Sequence, residues 1–388
     1  MVIERLEQNG WEAYAVGGCV RDSLRGVSPA DWDITTSATP QQIADALDGA
    51  ATIIPTGVKH GTVTAVIGSF VTEITTFRRD GAYTDHRHPD TVRYTRSLRE
   101  DLARRDFTVN AMAYHPQKGL FDPFDGQSDL RNGILRCVGE ATIRLQEDAL
   151  RILRGVRFAS TLGLTVEPAT AEAIHRTAPL LRQIAAERVT TELVKWIIGA
   201  GVEQTCVDFA DVLAVVLGES ADFSVKINTL PSSAPARLAA LYAKAETADV
   251  AALTERLRLD KATADTVILL HRYLPHLWSK SRGDLKRFLG QQGEEITRLL
   301  LSMQAAMYGV PDLNTTVSEW LKAGVCYSLR DLAINGETLI EHGFVPDPTL
   351  GKALEYLLTE VTEGRCDNTA DALLALAEQM KSGAVPLM

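Results

Sequence analysis

Cysteine is scarce in this 388-residue chain. Cys19, Cys137, Cys206, Cys326 and Cys366 are scattered and odd in number, and they form no Cys-x-x-Cys pair. That pattern excludes a disulfide framework and a thiolate zinc site, and it fits a reducing compartment such as the cytoplasm. The eight histidines contain no His-Glu-x-x-His; His86 and His88 lie in a charged stretch and read as solvated loop. No run of about 18 apolar residues is present, so no membrane span is expected. The start, Met1-Val2-Ile3-Glu4-Arg5, carries no long apolar core before a cleavage site, so no secretory signal is expected either. An excess of positive charge is missing too: the formal net charge is −10, which argues against a basic coat for polyanions.

What is present is an ordinary globular composition, 45% hydrophobic and 23% charged, long enough for two to four structural units. The charge is unevenly spread. From Arg78 to Arg157 there are 15 Lys/Arg against 12 Asp/Glu, a local balance of +3 inside an acidic chain. A local, arginine-built anion site fits that distribution.

The first 140 residues read as α+β. Strands are expected at Trp11–Val16, Asp31–Thr35, Ile53–Ile54, Thr62–Ile67 and Phe70–Phe77, which are rich in β-branched residues. Gly68-Ser69 reads as a hairpin turn. Helices are expected after Gly17-Gly18 and at Thr39-Pro40, where Pro takes the first helical position. Residues 78–97, with Gly81, Pro89 and many charges, read as a loop. From about Ala141 apolar residues recur at spacings of three and four, so the remainder is expected to be helical, with breaks near Gly199–Gly201, Pro231–Pro235 and Gly309–Pro311.

Two constellations carry chemistry. In a strand, residues i and i+2 share a face, so Asp31 and Asp33 aim two carboxylates into one volume. Like charges so placed call for a cation, and Mg²⁺ accepts one or two carboxylates plus substrate phosphates. An Asp-x-Asp alone is more often a surface strand. Here Gly17-Gly18-Cys19-Val20-Arg21 lies just upstream; a Gly-Gly turn opening a helix lets backbone N–H groups approach phosphate oxygens, and Arg21 adds a charged donor. Glu73 shares a strand face with Val71 and Thr75 and is either a third acid of the site or part of a solvated sheet face.

The second constellation is Glu147-Asp148-Ala149-Leu150-Arg151-Ile152-Leu153-Arg154-Gly155-Val156-Arg157-Phe158. On one helix, Asp148, Arg151, Arg154 and Arg157 form a slanted stripe of neighbours, with Leu150, Leu153, Val156 and Ala159 free to pack behind. A salt-bridged surface helix has this pattern. So does a base-reading edge. Asp accepts and Arg donates, which complements the amine and ring nitrogen of cytosine and adenine and opposes guanine and uracil, leaving polar groups unpaired.

These residues resemble the class II tRNA nucleotidyltransferases, the CCA-adding enzymes, with their bacterial poly(A) polymerase relatives. Gly17 to Asp22 with Asp31-Trp32-Asp33 resembles the family's first motif, Arg104 to Met112 the second, and Asp122-Pro123-Phe124-Asp125-Gly126 with Asp129-Leu130 the third. Glu147-Asp148 with Arg151 resembles the amino-acid template motif. More loosely, Ile334-Asn335-Gly336 followed by Gly343, Gly351, Gly364 and Asn368 is similar to the segment that meets the tRNA elbow. The resemblance implies a polymerase-β-like head (1–140), then an all-helical neck (141–200), body (201–310) and tail (311–388). It implies Mg²⁺ on Asp31 and Asp33, nucleotide contacts from Gly18, Arg21, Arg105, Arg154 and Arg157, and base reading by Asp148 and Arg151. It further implies that Asp106 and Asn110 shape the surroundings of sugar and base, and that the 78–98 loop helps switch from C to A. The implied activity is template-independent addition of CCA to tRNA from CTP and ATP. The alternatives are poly(A) synthesis, addition of CC or A alone, and a non-catalytic tRNA-binding protein. The stretch Pro55 to Thr64 resembles the CCA-adding version and opposes the first of these; the intact acids and template residues oppose the last.

Overall fold

The computed structural model describes residues 1–81, 92–278 and 282–381. His86, His88 and the centre of the charged loop lie outside the described residues. The chain forms two compact units, one of Met1–Ser224 with Arg256–Arg258, the other of Val225–Glu255 with the chain from Leu259 onward.

The first unit opens with α1 (Val2–Gln8), β1 (Ala13–Val16), α2 (Gly18–Leu24), β2 (Trp32–Thr36) and α3 (Pro40–Ala46). Thr39 and Gln42 close a reciprocal capping box at the start of α3, with the Thr39 N–H donating to Gln42 Oε1 at 2.9 Å. Next come β3 (Thr52–Gly57), β4 (Thr62–Ile67) and β5 (Phe70–Thr76). The charged stretch is not all loop. β6 (Arg78–Asp80) pairs antiparallel with β7 (Val92–Tyr94), and α4 (Leu98–Ala103) follows, capped by Ser97. Arg78 and Tyr94 face each other in this ribbon, so backbone pairing outweighs the local charge. β8 (Ala113–His115), β9 (Gly119–Phe121) and α5 (Gly126–Arg131) complete the sheet region.

One seven-stranded mixed sheet runs in the order β3-β4-β5-β2-β1-β8-β9. β2 and β5 run parallel, with Asp33 level with Glu73. A parallel pair needs a crossover, and α3 with the β3–β4 hairpin supplies it. Leu6, Ile34, Ile43, Leu47, Val63 and Ile74 pack on one face of the sheet. Tyr14, Val16, Phe77, Leu98 and Leu102 pack in a second cluster. Because strand side chains alternate, Asp33 and Thr35 point away from the Ile34 side; Thr35 donates to the buried Asp101 of α4 at 3.0 Å.

Helices then dominate, as the periodicity predicts. After β10 (Ile134–Leu135), α6 (Ala141–Glu147) and α7 (Leu150–Leu162) are adjacent, a two-residue β11 (Thr165–Val166) pairs parallel with β10, and α8 (Pro168–Thr177), α9 (Ala186–Ile197), α10 (Val202–Asp208) and α11 (Ala210–Leu217) follow. The expected breaks at 199–201 and 309–311 fall between helices, while the one at 231–235 overlaps a helix that already begins at Ala234. The second unit runs from α12 (Ala234–Leu241), α13 (Thr247–Arg256) and α14 (Lys261–Tyr273) through α15 (Arg282–Tyr308), kinked at Gly293 where φ is 82°. It continues with α16 (Asn314–Lys322), α17 (Gly336–Glu341), α18 (Pro348–Thr362) and α19 (Ala370–Lys381). Leu339, Ala353, Leu357, Leu373 and Ala377 form a buried cluster there. Asn335 and Asn368 have local structural work in it: Asn335 caps α17, and Asn368 ties Ala333 N–H to Asp331 O.

Candidate active site

Asp33 sits half-buried on β2, directly beside Glu73 on the neighbouring strand. Asp31 falls one residue before the strand and is exposed, so strand alternation does not fix its direction as the sequence reading expected. The two still sense each other. Burial raises the Asp33 carboxyl above the ordinary carboxylate range; Arg105 opposes this, while Glu73 and Asp31 add to it. Among the described residues, no three acidic, His or Cys side chains are arranged to hold a metal ion together. A hard cation completed by substrate phosphates, not an all-protein cage, suits such a two-carboxylate donor set.

The Gly-Gly turn is shaped around an arginine. Gly17 caps α2 with φ 81°, a conformation that L side chains rarely adopt. A Cβ on Gly17 would also stand 2.9 Å from Arg105 Nη1. Arg105 Nη2 lies 3.5 Å from Asp101, while its Nε is buried without a protein acceptor among the described residues. Arg21, on α2, donates through Nη1 to Asn110 Oδ1 at 2.6 Å and through Nε and Nη2 to Asp22. Asn110 in turn donates to Asp106 at 3.2 Å. The third sequence motif buttresses this turn. Asp122 accepts from the N–H groups of Gly126 and Gln127, Asp129 accepts from Thr108 at 2.7 Å, and a Cβ on Gly126 would meet Thr108 O at 2.2 Å.

The template segment differs from a single helix. α6 ends at Glu147, Asp148 is extended (φ −132°, ψ 103°), and α7 begins at Leu150. The Asp148 carboxylate accepts from its own Leu150 N–H at 3.1 Å, an arrangement that competes with helix continuation. The expected stripe of mutual contacts is therefore replaced by other pairs, most of them long-range. Asp148 pairs with Arg188 of α9 at 3.3 Å. Arg151 donates to Glu147, Arg144 O and Arg104 O at 2.8–2.9 Å. Arg154 pairs with Asp106 at 2.6 Å, and Arg157 with the buried Glu192 of α9. Asp106 is nearly fully buried, which alone would raise its pKa; Arg154, Arg151 and Asn110 overcome this and hold it at about 2. Leu150, Leu153, Val156 and Ala159 are buried behind, as expected.

One cavity of about 420 Å³ gathers these groups: Gly17, Gly18, Arg21, Asp33, Arg104, Arg105, Asp106, Asn110, Asp148, Arg151, Arg154, Arg157 and Phe158 line it. Asp31 and Glu73 do not. The sequence reading quoted Arg104 and Phe158 within motifs without giving either a role, and it missed Arg188 and Glu192. A signal existed for the last two: Arg188 and Glu192 are four apart on a strongly amphipathic helix, and Glu192 lies on its buried side.

Residues 13–136 match the family model "Poly A polymerase head domain", 163–206 match "Probable RNA and SrmB- binding site of polymerase A", and 231–377 match tRNA nucleotidyltransferase domain 2. A CCA-adding enzyme of Latilactobacillus sakei is 36% identical, over 97% of this chain and 96% of its own length. The chain belongs to the CCA-adding enzymes. Another CCA-adding enzyme, from Levilactobacillus brevis, is 35% identical over 96% of this chain and 95% of its own. The fold agrees with a solved CCA-adding enzyme of Bacillus stearothermophilus in complex with CTP: 30% identity, TM-score 0.82, 99% of this chain and 96% of that one. It also agrees with the Thermotoga maritima CCA-adding enzyme complexed with tRNA, at 20% identity and TM-score 0.68 over 98% and 94% of the two chains. The mixed-sheet head and helical remainder are thus those of CCA-adding enzymes, whose chemistry is metal-dependent nucleotidyl transfer.

Proposed function

We propose that this chain adds C, C and A in turn to the 3′ end of tRNA, taking CTP and ATP without a nucleic-acid template. The observation that carries the reading is the single cavity, which puts a metal-type carboxylate, an arginine cradle and an acid–arginine pair within one nucleotide-sized volume. In each cycle the terminal 3′-hydroxyl gives up its proton to solvent as its oxygen forms a bond to the α-phosphorus, the bond from that phosphorus to the bridging oxygen breaks, and pyrophosphate leaves. Asp31 and Asp33 would hold Mg²⁺, which supplies Lewis-acid neutralisation of the triphosphate charge. Arg21, Arg105, Arg154 and Arg157 hold the triphosphate in line, so catalysis is mostly positioning and electrostatics. Gly18 leaves the turn beside Arg21 free of a side chain, and Asp106 and Asn110 keep the two flanking arginines apart around the sugar.

Asp148 and Arg151 read the base. Both line the cavity, and Arg151 keeps donors on Nε and Nη2 beyond the three hydrogen bonds it makes within the protein. Glu73, level with Asp33, acts on the metal site through its charge. The β6–β7 ribbon forms the stem of the segment we assign to the C-to-A switch. A head at 1–140, neck at 141–200, body at 201–310 and tail at 311–388 is the functional division we assign, with tRNA held by the helical part and the cytoplasm as the place of action. No helix among the described residues is long and apolar enough to cross a membrane.

The test is incubation of the purified chain with tRNA lacking its 3′ end, Mg²⁺ and each labelled nucleoside triphosphate, singly and mixed. Two C then one A, and a stop, is the expected result. An open-ended A ladder would show poly(A) synthesis instead; C or A alone would show a partial enzyme, and no incorporation a binding protein.

A further inference from the structure

Three arginines of the cavity share one aromatic floor. The Phe158 ring, on α7, is 4% exposed. The guanidinium carbon of Arg157 lies 3.8 Å from its centroid, and those of Arg154 and Arg21 each lie 5.2 Å from it. Arg154 and Arg157 come from the same helix as the ring, whereas Arg21 arrives from α2, more than 130 residues earlier in the sequence. Phe107 meets the ring edge-on, with centroids 5.9 Å apart and planes at 83°, and so fixes its tilt.

Three positive charges converging on one small volume repel one another. Each has a carboxylate partner: Asp22 for Arg21, Asp106 for Arg154 and Glu192 for Arg157. Those partners bind the N–H edges of the guanidinium groups, the same edges a phosphate needs. The electron-rich ring face attracts the cations without consuming an N–H. It therefore holds the planes in place while a triphosphate replaces or shares the carboxylate contacts. An aliphatic side chain fills the same space and offers no such attraction.

We propose that Phe158 is a positioning residue for the incoming triphosphate, acting through Arg21, Arg154 and Arg157 and not through the base. This rests on the nucleotide reading of the cavity given above. Because the three arginines face the triphosphate, which CTP and ATP share, loss of the ring should weaken both nucleotides alike. Asp148 and Arg151 are not on the ring, so base choice should persist.

The test compares Phe158→Leu, Phe158→Met and Phe158→Tyr in the full chain. For Leu and Met the expected result is KM for CTP and ATP raised together by about tenfold or more, from the loss of several cation–ring contacts, with kcat within about threefold and the order C, C, A retained. Tyr, which keeps the ring face, should restore KM. Inorganic tripolyphosphate binding, measured by calorimetry without tRNA, should weaken in the Leu and Met forms and recover in the Tyr form. That second readout does not depend on which nucleotides the chain adds, so it separates this inference from the CCA reading. Unchanged KM and tripolyphosphate affinity in either folded aliphatic variant would overturn it. So would a change confined to one nucleotide, or a Tyr form as impaired as Leu.

Discussion

Asp106 and Arg154 meet at 2.6 Å although 48 residues separate them in sequence. The pair joins the turn that carries Asn110 to the helix that carries the template arginines. Asp106 is nearly fully buried there and still held as a carboxylate.

Asp106→Asn should therefore cost about 2 kcal/mol of stability at neutral pH, the scale of a nearly two-unit shift. The pH dependence has a definite sign. A carboxylate whose pKa is depressed from 3.8 to about 2 contributes fully above the ordinary value and loses that contribution as pH falls toward the folded value. The stability gap between the native chain and Asp106→Asn should narrow as pH falls from about 5 through about 2. Urea denaturation of both at several pH values checks this, following the first transition. A gap that widens on acidification would contradict it.

Asp33→Asn should reduce nucleotide incorporation by at least about a hundredfold, through loss of a metal ligand. It should leave the melting temperature in metal-free buffer equal or higher. Asp33 is a half-buried charge beside Glu73 and Asp31, and a neutral isostere relieves that repulsion. Activity assay and calorimetry together distinguish a functional acid from a structural one.

Asp148→Ala and Arg151→Ala should relax base choice by about ten- to a hundredfold, since a mismatched base no longer leaves a polar group unpaired. Misincorporation of GTP and UTP, against CTP and ATP, is the measurement. Asp148→Ala also frees Arg188 from its carboxylate, so Arg188→Ala is the control for packing around the site. Strict C and A choice retained in both template variants would remove them from base reading.

Gly17→Ala should cost about 1–3 kcal/mol from backbone strain alone, because φ 81° with ψ −129° is a conformation close to glycine-only. Its Cβ also meets Arg105 Nη1 at 2.9 Å, so nucleotide KM should rise with it. Gly26→Ala, also at positive φ but with open space around the Cβ, should show the stability loss without the KM change.

Local pattern was enough for much of the scaffold. Thr39-Pro40 marks a helix start, and the structure adds a capping box between Thr39 and Gln42. The β-branched runs from Thr52 to Thr76 mark strands, and Gly68-Ser69 marks the hairpin between two of them. Asp33, Gly18, Arg21 and the template residues could be singled out because their chemistry is visible in their types and spacing. The β6–β7 ribbon was hidden, since its pairing depends on two short segments meeting across a charged stretch.

The arginine partners were hidden for a deeper reason. Spacing rules assume one continuous helix, and Asp148 breaks it by folding its carboxylate back onto the Leu150 N–H. After that break, which acid each arginine meets depends on how α7 packs against α9 and against the Asp106 turn. Sequence alone determined many of the elements and the buried stripe Leu150-Leu153-Val156-Ala159, because these follow from properties of neighbouring residues. Tertiary structure decided that Arg154 finds Asp106, that Arg157 finds Glu192, and that Phe158 lies beneath three guanidinium groups. Such contacts join residues dozens of positions apart, and only packing in three dimensions brings them within reach.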